Sequence, residues 1–212
     1  MLKFYHAPWS RSSGVLWLLE ELGEPYETEI VDIRAEGGVP ESYRAIQPNK
    51  KVPAIVHDGT VVTERAAISI YLADAFPEAR LAPPVGDPAR ANYLTWLVYC
   101  DAVFDPAVSA RAHGLSYAGN DYSFGTFDDM VANVERHLER NAFAAGDRFS
   151  AADTQLASSI AFTMNVMKVL PQRPAFAAYL GRTVGRDAYR RAQAKDFEMA
   201  KRFPALLARS SG

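Results

Sequence analysis

The first third of the chain changes its hydrophobic rhythm every few residues. Leu2-Lys3-Phe4-Tyr5-His6 reads as a short strand. Val15, Leu18, Leu19 and Leu22 then recur at helical spacing, with Glu20, Glu21 and Glu24 off that stripe. Gly23 stands where a helix C-cap belongs, since a left-handed residue closes a helix at least cost when it has no Cβ. Tyr26 to Ile33 reads as a second strand, and Gln47-Pro48 and Pro53 break the stretch after it. Ala54-Ile55-Val56 and Val61-Val62 flank His57-Asp58-Gly59-Thr60, and Asp-Gly between β-branched runs predicts a hairpin. Ile68, Tyr71 and Leu72 share one face of a helix running to about Ala75. The order is β-α-β, an irregular segment, then β-β-α. A β-α-β unit needs parallel pairing and a hairpin needs antiparallel pairing, so the expectation is a mixed four-stranded sheet with helices packed on it.

The rhythm changes at Leu81-Ala82-Pro83-Pro84-Val85-Gly86-Asp87-Pro88, where prolines and a glycine cannot continue a helix. Beyond it the strand signals fade. Tyr93, Trp96, Leu97 and Cys100 form one helical stripe, Met130, Val131, Val134 and Leu138 another, and a third starts at Leu156. Residues 114–125 read as a loop or a broken helix. Ser150-Ala151-Ala152-Asp153 carries a capping-box signal, a folding device, with Phe149 before it; Thr154 supplies no apolar partner for a staple. The expected organisation is therefore an α/β domain over residues 1–80, a linker at 81–88, and an all-α domain over 89–212.

Composition narrows the class. The chain has 212 residues, 49% hydrophobic and 23% charged, with a formal net charge of -2. These values are ordinary for a globular protein and exclude collagen-like or wholly disordered chains. No apolar run approaches the roughly 20 residues of a membrane span, and the N-terminus lacks the order of a signal peptide. Near-neutral charge argues against a general nucleic-acid binder. The stretch from Lys168 to Arg209 holds ten basic and three acidic residues, read as a solvated helical face. A single cysteine, Cys100, excludes an internal disulfide and fits a reducing, cytoplasmic home. His6, His57, His113 and His137 are scattered without metal-ligand spacing, so no metal is expected. There is no G-x-S-x-G elbow, Walker A loop or G-x-G-x-x-G.

Three segments in order resemble the cytosolic glutathione transferases: Ser10-Arg11-Ser12 before the first helix, Lys51-Val52-Pro53 before the hairpin, and Glu64-Arg65-Ala66-Ala67-Ile68 after it. The proline-rich linker and the Ser150–Asp153 box fall where that family has them. The resemblance implies a thioredoxin-like N-terminal domain followed by an all-helical one. It also implies glutathione as co-substrate, with no further cofactor. A free thiol is mostly protonated at neutral pH, so such an enzyme must offer sulfur a hydrogen bond or positive potential. Ser10, Ser12 and Tyr5 are the candidate donors, and Arg11 could add potential. By the same resemblance Val52-Pro53 is a cis pair whose Val52 backbone meets the cysteinyl part of glutathione. Lys51 would lie near the glycyl carboxylate and Glu64 at the γ-glutamyl ammonium. The family usually has Ser or Thr after that acid. Arg65 departs from this; it could bind the glutamyl carboxylate, fill the site or pair with Glu64. Trp9, Tyr99, Phe104 and Tyr117 are candidates for an apolar electrophile pocket. Trp17 and Trp96 read as core or interface.

The resemblance thus implies conjugation of the glutathione thiolate to small apolar electrophiles, a detoxifying role and a homodimer. Ala66, Ala67 and Ser69 are small enough for close approach in that dimer. Two alternatives stay open: glutathione-dependent peroxide or disulfide reduction, and a non-catalytic binding scaffold, which Arg65 and the basic C-terminal stretch would suit.

Overall fold

The computed structural model describes residues 1–204 and Leu206. They fall into two compact units, Met1–Ala75 with the segment from Arg186 onward, and Phe76–Gly185. The first unit holds a four-stranded sheet made of β1 (Leu2–His6), β2 (Tyr26–Ile30), β3 (Ala54–His57) and β4 (Thr60–Thr63), in the order β2-β1-β3-β4. β1 runs parallel to β2 and antiparallel to β3, and β3 and β4 form the hairpin. Asp58 and Gly59 both have positive φ, 48° and 83°, the pairing that matches a two-residue turn to strand twist. β2 ends at Ile30, short of the expected Ile33. It is an edge strand with its middle residues exposed, and the Val31 N–H still donates to the His6 carbonyl at 2.8 Å.

Helix α1 (Ser13–Leu22) closes at Gly23, φ 75°, whose N–H donates to the Leu19 carbonyl. Helix α2 (Arg65–Ala75) follows the hairpin. Phe4, Leu16, Leu18, Leu19, Ile55, Ile68 and Leu72 are wholly buried in this unit, as is Trp17.

The second unit is helical: α3 (Ala89–Tyr99), α4 (Asp105–Ala112), α5 (Phe127–Arg140), α6 (Ala151–Ala161) and α7 (Pro174–Thr183). A single π-helical turn at Cys100–Phe104 joins α3 to α4. The expected stripes of α3 and α5 are buried, Trp96 included. Residues 114–125 form no helix; Tyr117, Tyr122 and Phe124 pack on one another there, the last two stacked at 5.1 Å. Leu81 is buried and its carbonyl accepts the Ala151 N–H at 2.8 Å, so the proline-rich segment is anchored in this unit.

Helix α8 (Asp187–Ala200) belongs to the first unit rather than to the helices that precede it. It packs on α1 through Ala188, Ala192, Asp196 and Ala200, spaced every four residues on one buried stripe. Small side chains let the two helices approach closely. Part of the expected solvated basic face is paired instead. Arg186 forks onto Glu21 at 2.6 and 2.8 Å, while Arg191 at 3.1 Å and Lys195 both reach Glu20. Burial alone would raise the Glu20 carboxyl, but Lys195, Tyr26 and Arg191 together hold it below its ordinary value. Arg209, at the end of the basic stretch, lies outside the described residues.

Candidate active site

The loop between β1 and α1 carries Trp9, Ser10, Arg11 and Ser12. Trp9 has φ 52°, a left-handed backbone that a non-glycine residue keeps only where its surroundings hold it. Those surroundings include Asp196 on α8, which accepts the Trp9 N–H at 3.2 Å. Ser10 is partly buried; its Oγ lies 2.8 Å from the Ala7 carbonyl and 2.7 Å from Ser12 Oγ. Ser12 is 0% exposed, and its Oγ is 2.7 Å from His6 Nδ1. The Ser12 carbonyl accepts the amides of Val15 and Leu16, starting α1. The three nominated hydroxyls therefore have different settings. Ser10 is partly exposed, and Ser12 is sealed beneath it.

Tyr5 points the other way. Successive residues of a strand face opposite sides of the sheet, so if His6 faces the serine loop Tyr5 cannot. It is buried among Val31, Val39, Tyr43 and Ala54 and lines a cavity of about 380 Å³ with Val39, Tyr43 and Ile46. Its ring meets that of Tyr43 at 5.6 Å.

The second loop precedes β3. The Val52–Pro53 peptide is cis. The segment is pinned on both sides of Lys51: its N–H donates to Gln47 Oε1 at 3.1 Å and its carbonyl accepts the Tyr43 hydroxyl at 3.1 Å. Burial pushes the Tyr43 phenol up, which keeps it a donor. Among the described residues no partner within the chain takes up the Val52 amide or carbonyl. The Lys51 side chain is exposed.

At the start of α2, Glu64 is exposed with φ 67°, and Gln47 Nε2 lies 3.4 Å from its carboxylate. Arg65, the first residue of α2, is only 6% exposed. Gln47, itself buried, thus ties the cis-proline loop to the acid before α2; its place in a proline-broken segment hid this role from the sequence reading. Two further residues escaped it, His6 and Asp196, which lie behind the serine loop with Nε2 3.0 Å from Oδ1. An acid on a stripe of alanines was the available signal for Asp196.

The four pocket candidates are divided between the units. Trp9, in the first, packs near the Phe197 ring at 6.4 Å. In the second, Tyr99 stands half-buried beside Trp96, Phe104 is wholly buried, and Tyr117 donates its hydroxyl to the Gly125 carbonyl at 3.0 Å. Among the described residues no group of three or more His, Cys, Asp or Glu side chains is placed to hold a metal, and no helix is long and apolar enough to cross a membrane.

A four-stranded mixed sheet with this β-α-β and β-β-α order, and a cis proline ahead of β3, defines a thioredoxin-like domain. A family model for the glutathione S-transferase N-terminal domain matches residues 8–75. Glutathione S-transferase 3 of Schizosaccharomyces pombe is 29% identical over 175 residues, covering 74% of this chain and 72% of that one. Glutathione S-transferase GstA of Escherichia coli O157:H7 is 35% identical over 102 residues, 46% of this chain and 50% of its own. A glutathione transferase of Methylococcus capsulatus has a structure that covers 92% of this chain and 98% of its own, with TM-score 0.74 and 28% identity. A sphingomonad glutathione S-transferase, solved with glutathione, gives 0.73 at 28%, over the same 92% and 98%. Over residues 8–75 the chain thus matches the N-terminal domain of the glutathione S-transferases, and over 92% of its length it is similar in structure to glutathione transferases.

Proposed function

We propose that this enzyme conjugates the thiolate of glutathione to small apolar electrophiles, with Ser10 donating the hydrogen bond that holds the sulfur as thiolate. The observation that carries this is the contrast among the three hydroxyls: Ser10 is partly exposed on the loop before α1, whereas Ser12 and Tyr5 are buried. A hydroxyl near a helix N-terminus combines a donor with positive potential. The amide and carbonyl of Val52, which no group among the described residues takes up, would pair with the cysteinyl backbone as a strand edge does. Glu64 would hold the γ-glutamyl ammonium. The first amides of α2 would receive the glutamyl carboxylate, with the buried Arg65 guanidinium adding charge from behind. Lys51 would meet the glycyl carboxylate. Trp9, Tyr99 and Tyr117 remain candidates for the electrophile's surroundings; Phe104, wholly buried, fits a core role better. The same reading extends to a homodimer serving detoxification in a reducing cytoplasm. In it Ala66 and Ala67 stay candidates for close approach, whereas Ser69 is already buried within its own unit.

Calorimetry with millimolar glutathione tests binding, and its absence would sink the reading. Given binding, Ser10→Ala is expected to raise the bound thiol's pKa and cut conjugation of a model aryl halide about a hundredfold, with glutathione affinity nearly kept. An unchanged rate in Ser10→Ala, with Ser12→Ala inactive, would move the role to Ser12.

A further inference from the structure

Four polar side chains of the first unit stand in single file. Ser10 Oγ is 2.7 Å from Ser12 Oγ, Ser12 Oγ is 2.7 Å from His6 Nδ1, and His6 Nε2 is 3.0 Å from Asp196 Oδ1. The outer serine is partly exposed; His6 and Ser12 are 0% and Asp196 2% exposed. Asp196 also accepts the Trp9 N–H at 3.2 Å and the Ser13 hydroxyl at 2.6 Å.

With Asp196 ionised and the imidazole neutral, donor and acceptor rules set the direction of the three bonds in the file; the Ala7 carbonyl stands beside it as a second acceptor, 2.8 Å from Ser10 Oγ and 3.2 Å from Ser12 Oγ. An ionised carboxylate only accepts, so His6 Nε2 carries a proton. On a neutral imidazole Nδ1 is then an acceptor, and Ser12 must donate to it. The Ser12 oxygen is left to accept, from the Ala7 N–H at 3.2 Å and from the Ser10 hydroxyl. Ser10 in turn accepts the Ser12 N–H at 3.1 Å and keeps one lone pair for an outside donor. All the bonds of the file point inward. In that state the Ser10 proton is engaged by Ser12 Oγ and the Ala7 carbonyl rather than by a sulfur.

We propose that this file is a proton wire that carries the thiol proton of bound glutathione to His6. The S–H bond breaks and its electron pair stays on sulfur. The proton joins Ser10 Oγ, the Ser10 proton passes to Ser12 Oγ, and the Ser12 proton passes to His6 Nδ1. The products are a thiolate facing the Ser10 O–H and an imidazolium facing Asp196. The Ser10–Ser12 and Ser12–His6 bonds reverse direction while His6 Nε2 goes on donating to Asp196; Ser10 gives up the Ala7 carbonyl, 2.8 Å away, and finishes as donor to the thiolate. Once the sulfur has attacked its electrophile, the proton returns along the file through Ser10 to the leaving group or to water.

Asp196 from α8 is the charged group facing the imidazole, Ser12 faces it from the loop, and the Phe4 ring on its own strand lies 5.1 Å away. Lys195, next to Asp196, is turned to Glu20 and Tyr26. The arrangement shares residue types with a hydrolytic triad, but Ser12 is sealed and cannot attack a substrate. His6 and Asp196 are positioning residues that act through the serines, and the proposal rests on Ser10 being the donor to sulfur.

The test uses the full-length protein with glutathione or S-methylglutathione, which has no thiol proton, at one pH. Nitrogen NMR of the His6 ring is expected to show neutral imidazole with S-methylglutathione and imidazolium with glutathione. The same protonation state with both ligands would overturn the wire. Thiolate ultraviolet absorbance against pH gives an independent reading. Ser12→Ala and Asp196→Asn are each expected to raise the bound thiol's pKa by about one unit or more, about a tenfold loss of thiolate near neutrality. Ser10→Ala separates the layers. A raised pKa in Ser10→Ala with no change in Ser12→Ala overturns the wire alone. No change in Ser10→Ala overturns the donor assignment beneath it.

Discussion

Asp153 in the second unit and Asp196 in the first are both carboxylates shut away from water, and they hold different things. Asp153 accepts the Ala144 N–H at 2.7 Å, the Ser150 N–H at 2.8 Å, the Ser150 hydroxyl at 3.0 Å and the Tyr179 hydroxyl at 2.8 Å. None of those donors changes protonation near neutral pH, and burial pushes the Tyr179 phenol up further. Most of them lie within ten residues of Asp153, at the start of α6. Asp196 instead reaches back across most of the chain to His6, Trp9 and Ser13. One acid closes a helix start; the other supports a loop whose hydrogen bonds can reverse. Burial alone does not separate folding devices from chemical ones. The titratability of the partners does.

The comparison can be broken most severely at Asp153. Asp153→Ala strands four buried donors and is expected to cost about 3–5 kcal/mol in urea unfolding, a size met when a buried polar network loses its centre. A loss below about 1 kcal/mol would mean those donors find water or new partners. A milder change sharpens the contrast. Burial pushes the Asp153 carboxyl up to about 6 from an ordinary 3.8, against the pull of its donors. Between those values the folded state holds a proton that the unfolded chain has released. The stability this gives is full below the lower value and is lost as pH rises through about 6. The unfolding free energy of the wild type relative to Asp153→Asn should fall by about 2–3 kcal/mol from acid to neutral pH. The bound thiol's pKa should stay the same in that variant. A moved thiol pKa would erase the distinction between the two acids. The smallest effect belongs to the wet end of the α1–α8 seam. Arg186→Ala is expected to cost less than about 1 kcal/mol, and less again in high salt, because the Arg186 side chain is 40% exposed.

The sheet, the hairpin turn, the Gly23 cap and the helix-start box at Ser150 were legible because each depends on neighbours in sequence. The resemblance to the glutathione transferases is what pointed to Ser10, Ser12, the Val52–Pro53 pair and Glu64. What stayed hidden depends on long-range packing. Glu20 and Glu21 sit off the apolar stripe of α1, yet both side chains are shut away from water, with Arg191 and Lys195 of α8 supplying cations to Glu20 and Arg186 just before it to Glu21. The basic stretch that looked like a solvated face is partly their counterpart. Tyr5 was a candidate donor by the same resemblance, but strand alternation sends it to the face of the sheet opposite His6. His6 was one of four scattered histidines until Asp196 met it from the far end of the chain.

The return of α8 to the first unit has a consequence for synthesis. Strand β1 and the serine loop leave the ribosome first, while the carboxylate that supports them is made after the whole of the second unit. A nascent chain stopped at Gly185 would own every strand of its sheet, the cis-proline segment and the acid before α2. Its His6 would have no anion behind it and its Trp9 amide no acceptor. Support for the serine loop is therefore scheduled by translation, and a chain cut short ahead of α8 would carry the loop without the carboxylate that holds it.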